Sequence, residues 1–197
     1  MKSFRLFVCL LALIQTTAQA QPPVSITEPS NSAVAAPAAH ATDERQVQNQ
    51  LNQYLWDAAR TGNDAVLQEF INAGYNLNTR DEKGYTAVIL AAYHGHYDTV
   101  SLLLNHGADP CLQDSRGNTA LMGAVFKGEL KIANLLLNAK CSPDTRNNAG
   151  QTAAMYASLF QRTEILKALQ EKGADMNATD AMGNSVQALG KGEVKGQ

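Results

Sequence analysis

Three histidines, His94, His96 and His106, lie close together and are the first residues to weigh as metal ligands. A metal site needs ligands that converge with a defined geometry. His94 and His106 fall in successive turns of the chain rather than at a ligand spacing, so no metal site is expected. No nucleophile elbow, no His-Glu-x-x-His and no phosphate-cradling Gly-Lys-Ser/Thr is present. The carboxylates are too dispersed for two of them to share one cleft as an acid–base pair. The chain is therefore expected to be non-enzymatic, with no catalytic, metal or cofactor-binding residues. Asn177-Ala178-Thr179 fits a glycosylation acceptor, a single short match.

The composition excludes other classes. Of 197 residues, 45% are hydrophobic and 17% charged, with a formal net charge of −2. A buried core is compatible with this. The basic residues are scattered singly, which argues against nucleic acid and against an anionic membrane surface. Lys2 and Arg5, the apolar run Leu6–Ile14 and Ala18-Gln19-Ala20 read as a secretory signal over residues 1–20. The apolar run is short of the ~18–20 residues that span a bilayer. Cleavage near Ala20 would give a periplasmic or secreted protein with no membrane attachment. Residues 21–46 hold Pro22, Pro23, Pro29 and Pro37 among Ala, Ser and Thr, and read as a disordered linker.

The elements that position everything else repeat every 33 residues. Gly84, Gly117, Gly150 and Gly183 mark the period, each followed two residues later by Thr86, Thr119, Thr152 or Ser185. Asp81, Asp114, Asn147 and Asp180 open the units. A period of this length marks stacked supersecondary units. The repeat region is expected over 47–190, with units at about 48–80, 81–113, 114–146 and 147–179 and a partial one at 180–190. Residues 191–197 are expected to be a disordered tail. In each unit the Asp or Asn holds a turn, and the Thr caps a short helix, about Ala87–Tyr93 in the second unit. Gly95 and Gly128 end that helix. A leucine-rich helix follows, about Asp98–Asn105, closed by Gly107. Neither helix is long enough to be stable alone, so each pair must be covered by the next.

Removal of the leader leaves Cys111 and Cys141. An exported protein with two thiols invites a disulfide. In the 33-residue frame, however, Cys111 aligns with Asp144 and Cys141 with Ala108. Stacked repeats roughly 10 Å apart exceed the ~7 Å that a bridge allows between Cα atoms. Two small, semi-buried thiols are the favoured expectation, with the bridge as its alternative.

Asp-x-x-Gly-x-Thr-Ala, then Ala91-Ala92-Tyr93-His94-Gly95-His96, Leu102-Leu103-Leu104 and Gly107-Ala108-Asp109, closely resembles the ankyrin repeat. The resemblance runs from about Gln48 to Leu189. It implies an all-α solenoid of helix-turn-helix units with short hairpin loops, and it accounts for His96. The sequence departs from the pattern in places. Ala87, Ala120 and Ala153 stand where the family has Pro, and Ile89, Met122 and Met155 where it has His. Lys140-Cys141-Ser142 replaces Gly-Ala-Asp, and Gln161 replaces a loop Gly, which leaves those turns open.

The resemblance also implies a protein-binding surface on the hairpin tips and first helices, along a concave groove. Carried onto matching positions it names Glu82, Lys83, Tyr85, Tyr93 and His94, then Ser115, Arg116, Asn118, Phe126 and Lys127. The fourth unit supplies Asn148, Ala149, Gln151, Leu159 and Phe160. Tyr85, Tyr93, Phe126, Leu159 and Phe160 would form an exposed apolar stripe of the kind that marks interaction sites. Lys83 and Arg116 would form a charged rim. The competing reading folds these side chains back onto neighbouring repeats. The expected function is a monomeric, exported module that binds another protein. The alternatives are an accessory factor stabilising an exported enzyme, for example in oxidative-stress defence, and an immunity or effector protein that blocks a toxin or host target.

Overall fold

The computed structural model describes residues 38–195, with side chains from Asp43 onward. The leader, residues 21–37 of the expected linker and residues 196–197 lie outside the described residues. Nine helices and no extended strand are found among the described residues. They are α1 (Ala38–Thr61), α2 (Asp64–Asn72), α3 (Ala87–His94), α4 (Tyr97–Asn105) and α5 (Ala120–Lys127). Then come α6 (Leu130–Leu137), α7 (Ala153–Leu159), α8 (Thr163–Glu171) and α9 (Val186–Gly190). No described helix is long and apolar enough to cross a membrane.

Two boundaries differ from expectation. Helix α1 starts at Ala38, inside the stretch read as linker. The stretch Ala38–Thr61 has no proline and is rich in Ala and Gln, good helix formers. At the other end, Lys191–Lys195 does not trail away. Lys191, Gly192 and Glu193 donate backbone N–H bonds to the carbonyls of α9, and the Lys195 N–H donates to Asn184 Oδ1 at 2.6 Å.

The unit from Val47 onward is an all-α repeat solenoid. Helices α3, α5, α7 and α9 pack in succession on one side, and α4, α6 and α8 in succession on the other. The inner helices are rich in alanine, so their backbones approach closely. Ala87, Ala91, Ala92, Ala120, Ala124, Ala153, Ala154 and Ala157 are all buried. Each leucine triplet buries only its middle member, Leu103 or Leu136, against neighbouring pairs. Single-face burial at this spacing is what stacking requires of a short amphipathic helix.

The caps are as the sequence predicts. Thr86, Thr119, Thr152 and Ser185 each accept a hydrogen bond from a helix N–H, those of Ile89, Met122, Met155 and Ala188. Gly95 and Gly128 end α3 and α5 in the left-handed region. Gln161 takes the same role after α7 at φ +55, the one non-glycine with positive φ among the described residues. Its side chain is held by the carbonyls of Ser158 and Gly190. At the tips, Asp81 Oδ1 accepts the N–H groups of Lys83 and Tyr85 at 2.9 and 2.8 Å. Each tip is tied to the next: Ser115 N–H to Lys83 O, Asn148 N–H to Arg116 O, and Ala181 N–H to Ala149 O. Gly117 sits at this junction with φ +81, and a Cβ there would lie 2.8 Å from the Asn148 nitrogen.

The cysteine expectation is overturned. Cys111 and Cys141 form a disulfide with a Cα–Cα distance of 5.4 Å. The repeat spacing separates like positions, but the loop after each outer helix reaches forward to the following unit. Asn78 Oδ1 accepts the Asp109 N–H at 2.8 Å, and Asp144 Oδ1 accepts the Asp175 N–H at 2.8 Å. Cys111 stands at the frame position of Asn78 and Asp144, and Cys141 precedes Ser142, the counterpart of Asp109 and Asp175. At this junction a covalent bond takes the place of a side-chain cap.

Candidate protein-binding groove

The inner helices and hairpin tips enclose an open groove of about 720 Å³. Eight of the predicted residues line it: Glu82, Lys83, Tyr85, Tyr93, His94, Arg116, Asn118 and Phe126. Ser115, Lys127, Asn148, Gln151, Leu159 and Phe160 are not in that lining. Lys127 and Phe160 nonetheless join it through the rings. Tyr93 stacks on Phe126 at 6.0 Å between centroids, and Phe126 meets Phe160 edge-on at 4.9 Å. The Lys127 ammonium lies 5.3 Å from the Tyr93 ring centroid, within cation–π range.

In this aromatic ladder Tyr93 and Phe126 share a frame position on α3 and α5, where the fourth unit has Leu159. Phe160, which caps α7, stands at the frame position of Lys127 and continues the row of rings from there. Its members touch one another, yet Tyr93, Phe126, Leu159 and Phe160 keep 41%, 38%, 37% and 36% of their surface exposed. They are neither core nor isolated surface side chains. Tyr85 differs from expectation and is half-buried.

Asn118 and Gln151 serve a network under the ladder rather than facing out freely. Asn118 Nδ2 donates to Asp114 Oδ2 at 3.2 Å, and Asn118 Oδ1 accepts from Asn147 Nδ2 and Tyr156 Oη. Gln151 Oε1 accepts from Asn147 Nδ2 at 3.2 Å. Burial pushes the Tyr156 phenol upward, opposed by its hydrogen bond from Asn147. Asn148 and Ser115 are bound into the tip ladder, with Asn148 Nδ2 donating to Ser115 O.

The histidines do not converge. His96 Nε2 donates to Arg60 O at 2.9 Å, while His106 Nδ1 is 2.8 Å from Leu102 O. The His94 ring stacks on His96 at 6.4 Å. Partial burial depresses the His94 pKa, and the charges of Arg60, His96 and Lys127 depress it further.

Sequence reasoning missed one wall of the groove. Gln53, Trp56, Asp57 and Arg60 of α1 line it as well. Trp56 is anchored by its Nε1–H donating to Thr79 O at 3.3 Å. The signal was in the period: Tyr93 minus 33 is Arg60, and Ile89 minus 33 is Trp56. The first unit lacks the opening Gly and Thr, which hid that correspondence. Gly123 and Tyr156 were missed too. They share a frame position with Leu90, so the side chain shrinks to nothing in the third unit and expands in the fourth.

A stack of capped helix pairs with zipped tips is the architecture that the repeat pattern implied. The family model for ankyrin repeats in three copies matches residues 55–147 and 107–180. The chain belongs to the ankyrin repeat family. It is 44% identical over 59 residues to Ankyrin repeat domain-containing protein 29 of Danio rerio, covering 29% of this chain and 20% of that protein. It is 46% identical over 48 residues to a Pseudomonas aeruginosa protein named for ankyrin repeats, covering 24% and 28%. A Rickettsia felis protein, also named for ankyrin repeats, is 39% identical over 59 residues, covering 29% of this chain and 94% of its own. The chain thus spans about a quarter of the length of the first two relatives. Ankyrin repeats generally serve as protein–protein interaction modules and are typically non-enzymatic.

Proposed function

We propose that this ankyrin array is an exported binding protein whose partner lies in the groove, against the ladder of Tyr93, Phe126 and Phe160. The observation that carries this reading is the ladder itself. Large rings packed against one another, with about two-fifths of their surface left to water, suit the centre of an interface. Trp56 adds a further aromatic to the groove lining. Export to the periplasm or outside the cell is supported by the leader-like residues 1–20 and by the Cys111–Cys141 bond, since disulfides persist in oxidising compartments.

The test is partner capture by Tyr93→Ala with Phe126→Ala. Losing the stacked pair costs about 0.5–1.5 kcal/mol, and each ring, about three-fifths buried, loses about 1–2 kcal/mol more. With circular dichroism showing the variant still folded, capture is expected to be abolished. Undiminished capture would remove the groove from the account. A collapse of the fold would mean that the rings are core. The identity of the captured protein separates the roles: a resident exported enzyme indicates an accessory or stabilising factor, and a toxin or host protein indicates an immunity or effector role.

A further inference from the structure

Most of the described glycines stand at positive φ, where a turn requires them; Gly123 and Gly190 do not. At Gly190 the reason for glycine is space, since a Cβ there would lie 2.6 Å from Ser158 Oγ. Gly123 has neither reason. It is the fourth residue of α5, and its N–H donates to the Thr119 carbonyl at 3.1 Å as in any helix. The nearest heavy atoms to a Cβ at Gly123 are carbons of Tyr93, at 3.8, 3.9 and 4.0 Å, which is ordinary van der Waals contact. Alanine would fit, and inside a helix glycine is the poorest choice after proline. The glycine therefore does not serve the helix.

What it changes is the floor of the groove. Helices α3, α5 and α7 pack in succession, and Leu90, Gly123 and Tyr156 occupy one frame position on them. All three line the groove. Between the leucine and the tyrosine the floor drops to bare, partly exposed backbone. The Tyr156 hydroxyl is the one polar side-chain group at this frame position, and it is already engaged. It donates to Asn118 Oδ1 at 3.2 Å and accepts from Asn147 Nδ2 at 3.3 Å. A polar group entering here would give up water and find no partner, whereas an apolar one would lose nothing.

We infer that Gly123 determines the specificity of the groove: it opens a notch between Leu90 and Tyr156 that seats one large apolar side chain, leucine, methionine or phenylalanine, presented by a protein segment. This deepens the groove reading above and rests on it. An anchor side chain in a central pocket, ringed by aromatic neighbours, is the arrangement that concentrates binding energy. Here Tyr93 and Phe126 supply the ring. A nucleobase would carry polar edges into the same notch, where the tyrosine hydroxyl is not free to pair with them.

The experiment selects a random 12-residue peptide library on the immobilised full chain and measures the affinity of enriched peptides by fluorescence anisotropy. The receptors are the parent, Gly123→Ala, and Tyr93→Ala with Phe126→Ala as the groove control, each checked for folding by circular dichroism. Trp56 is the only tryptophan of the chain and lines the groove, so its emission reports occupation by winners that lack tryptophan. Gly123→Ala should raise the thermal midpoint by about 2–4 °C and yet weaken the winners about tenfold. A merely structural glycine would not move the two in opposite senses. One apolar residue of each winner should prove to be the anchor. Its replacement by alanine should weaken binding to the parent about tenfold or more and cost far less against Gly123→Ala. Full affinity for Gly123→Ala, or a loss tied to no single peptide position, would overturn the inference and leave the groove reading standing. A midpoint no higher than the parent's would mean that the fold uses the glycine, and would overturn it too. Displacement of the winners by a dT oligonucleotide at physiological salt would assign the notch to a base, with the same consequence. Winners that leave Trp56 emission unchanged and are indifferent to the groove control, or no enrichment of any peptide, would overturn both readings.

Discussion

Breaking the Cys111–Cys141 bond should separate two contributions at one repeat junction. The bond closes a loop with a sequence separation of 30. In the chain-entropy account a loop of that size restricts the unfolded ensemble by about 3.6 kcal/mol. For a folded region of this size that corresponds to a fall of about 7–14 °C in the thermal midpoint. The other two junctions show what the same position does without sulfur, through Asn78 and Asp144 capping the backbone N–H of the next unit. Cys111→Asn with Cys141→Ala should therefore regain part of the loss of Cys111→Ala with Cys141→Ala. One restored hydrogen bond is worth about 1 kcal/mol, or about 2–4 °C. The assay is thermal unfolding by circular dichroism of the three proteins, with and without a phosphine reductant. The alanine variant and the reduced parent should coincide, with the asparagine variant between them and the oxidised parent. A parent midpoint insensitive to reductant, or an asparagine variant no better than alanine, would refute the argument that this loop position staples adjacent units.

Three further outcomes follow from the geometry. Gly107→Ala and Gly117→Ala both force alanine to positive φ, at about 1–2 kcal/mol. Only at Gly117 does the added Cβ also strike the backbone of the next tip, so the Gly117 variant should melt clearly lower in the same assay. At Asp180, burial raises the pKa, but hydrogen bonds from the Asn184 side chain and from the N–H groups of Asn184, Met182 and Gly183 outweigh it and hold the carboxyl below its usual value. Its stabilising contribution is therefore present above the unfolded value, about pH 4, and is lost as pH falls through the lower folded value. Asp180→Asn should flatten the acid limb of the stability curve while keeping the turn, since Asn147 already holds the equivalent turn by accepting from Ala149 and Gln151. A steeper acid limb in the variant would contradict this. Thr119→Ala should lose about 1 kcal/mol of stability through the missing cap to Met122, read by urea titration.

Much of the fold was legible because the period fixes which residues must be turn, cap and core. Gly84, Thr86 and Asp81 each have a backbone duty that a residue type reveals, and the structure places them in those duties. What remained hidden depended on contacts between unlike positions. The Cys111–Cys141 bond joins two different places in the frame, so aligning like with like set them apart. Gln161 adopts a conformation that its type disfavours, because the Ser158 and Gly190 carbonyls hold its side chain. Trp56 and Arg60 belong to a unit without its opening turn, where the pattern that identifies groove positions is missing. The ladder was half legible. The sequence supplies rings at groove positions, but only packing sets how far they cover one another.

The claim that this ankyrin array acts by docking a protein in its aromatic groove is tested most directly by site-specific photocrosslinking in the native host. Benzoylphenylalanine replaces Tyr93 in one strain and Lys167, which is exposed on outer helix α8, in another. The account predicts one discrete protein adduct from position 93, identified by mass spectrometry, and none of that mass from position 167. No protein adduct from position 93, or the same adduct from both positions, would contradict it.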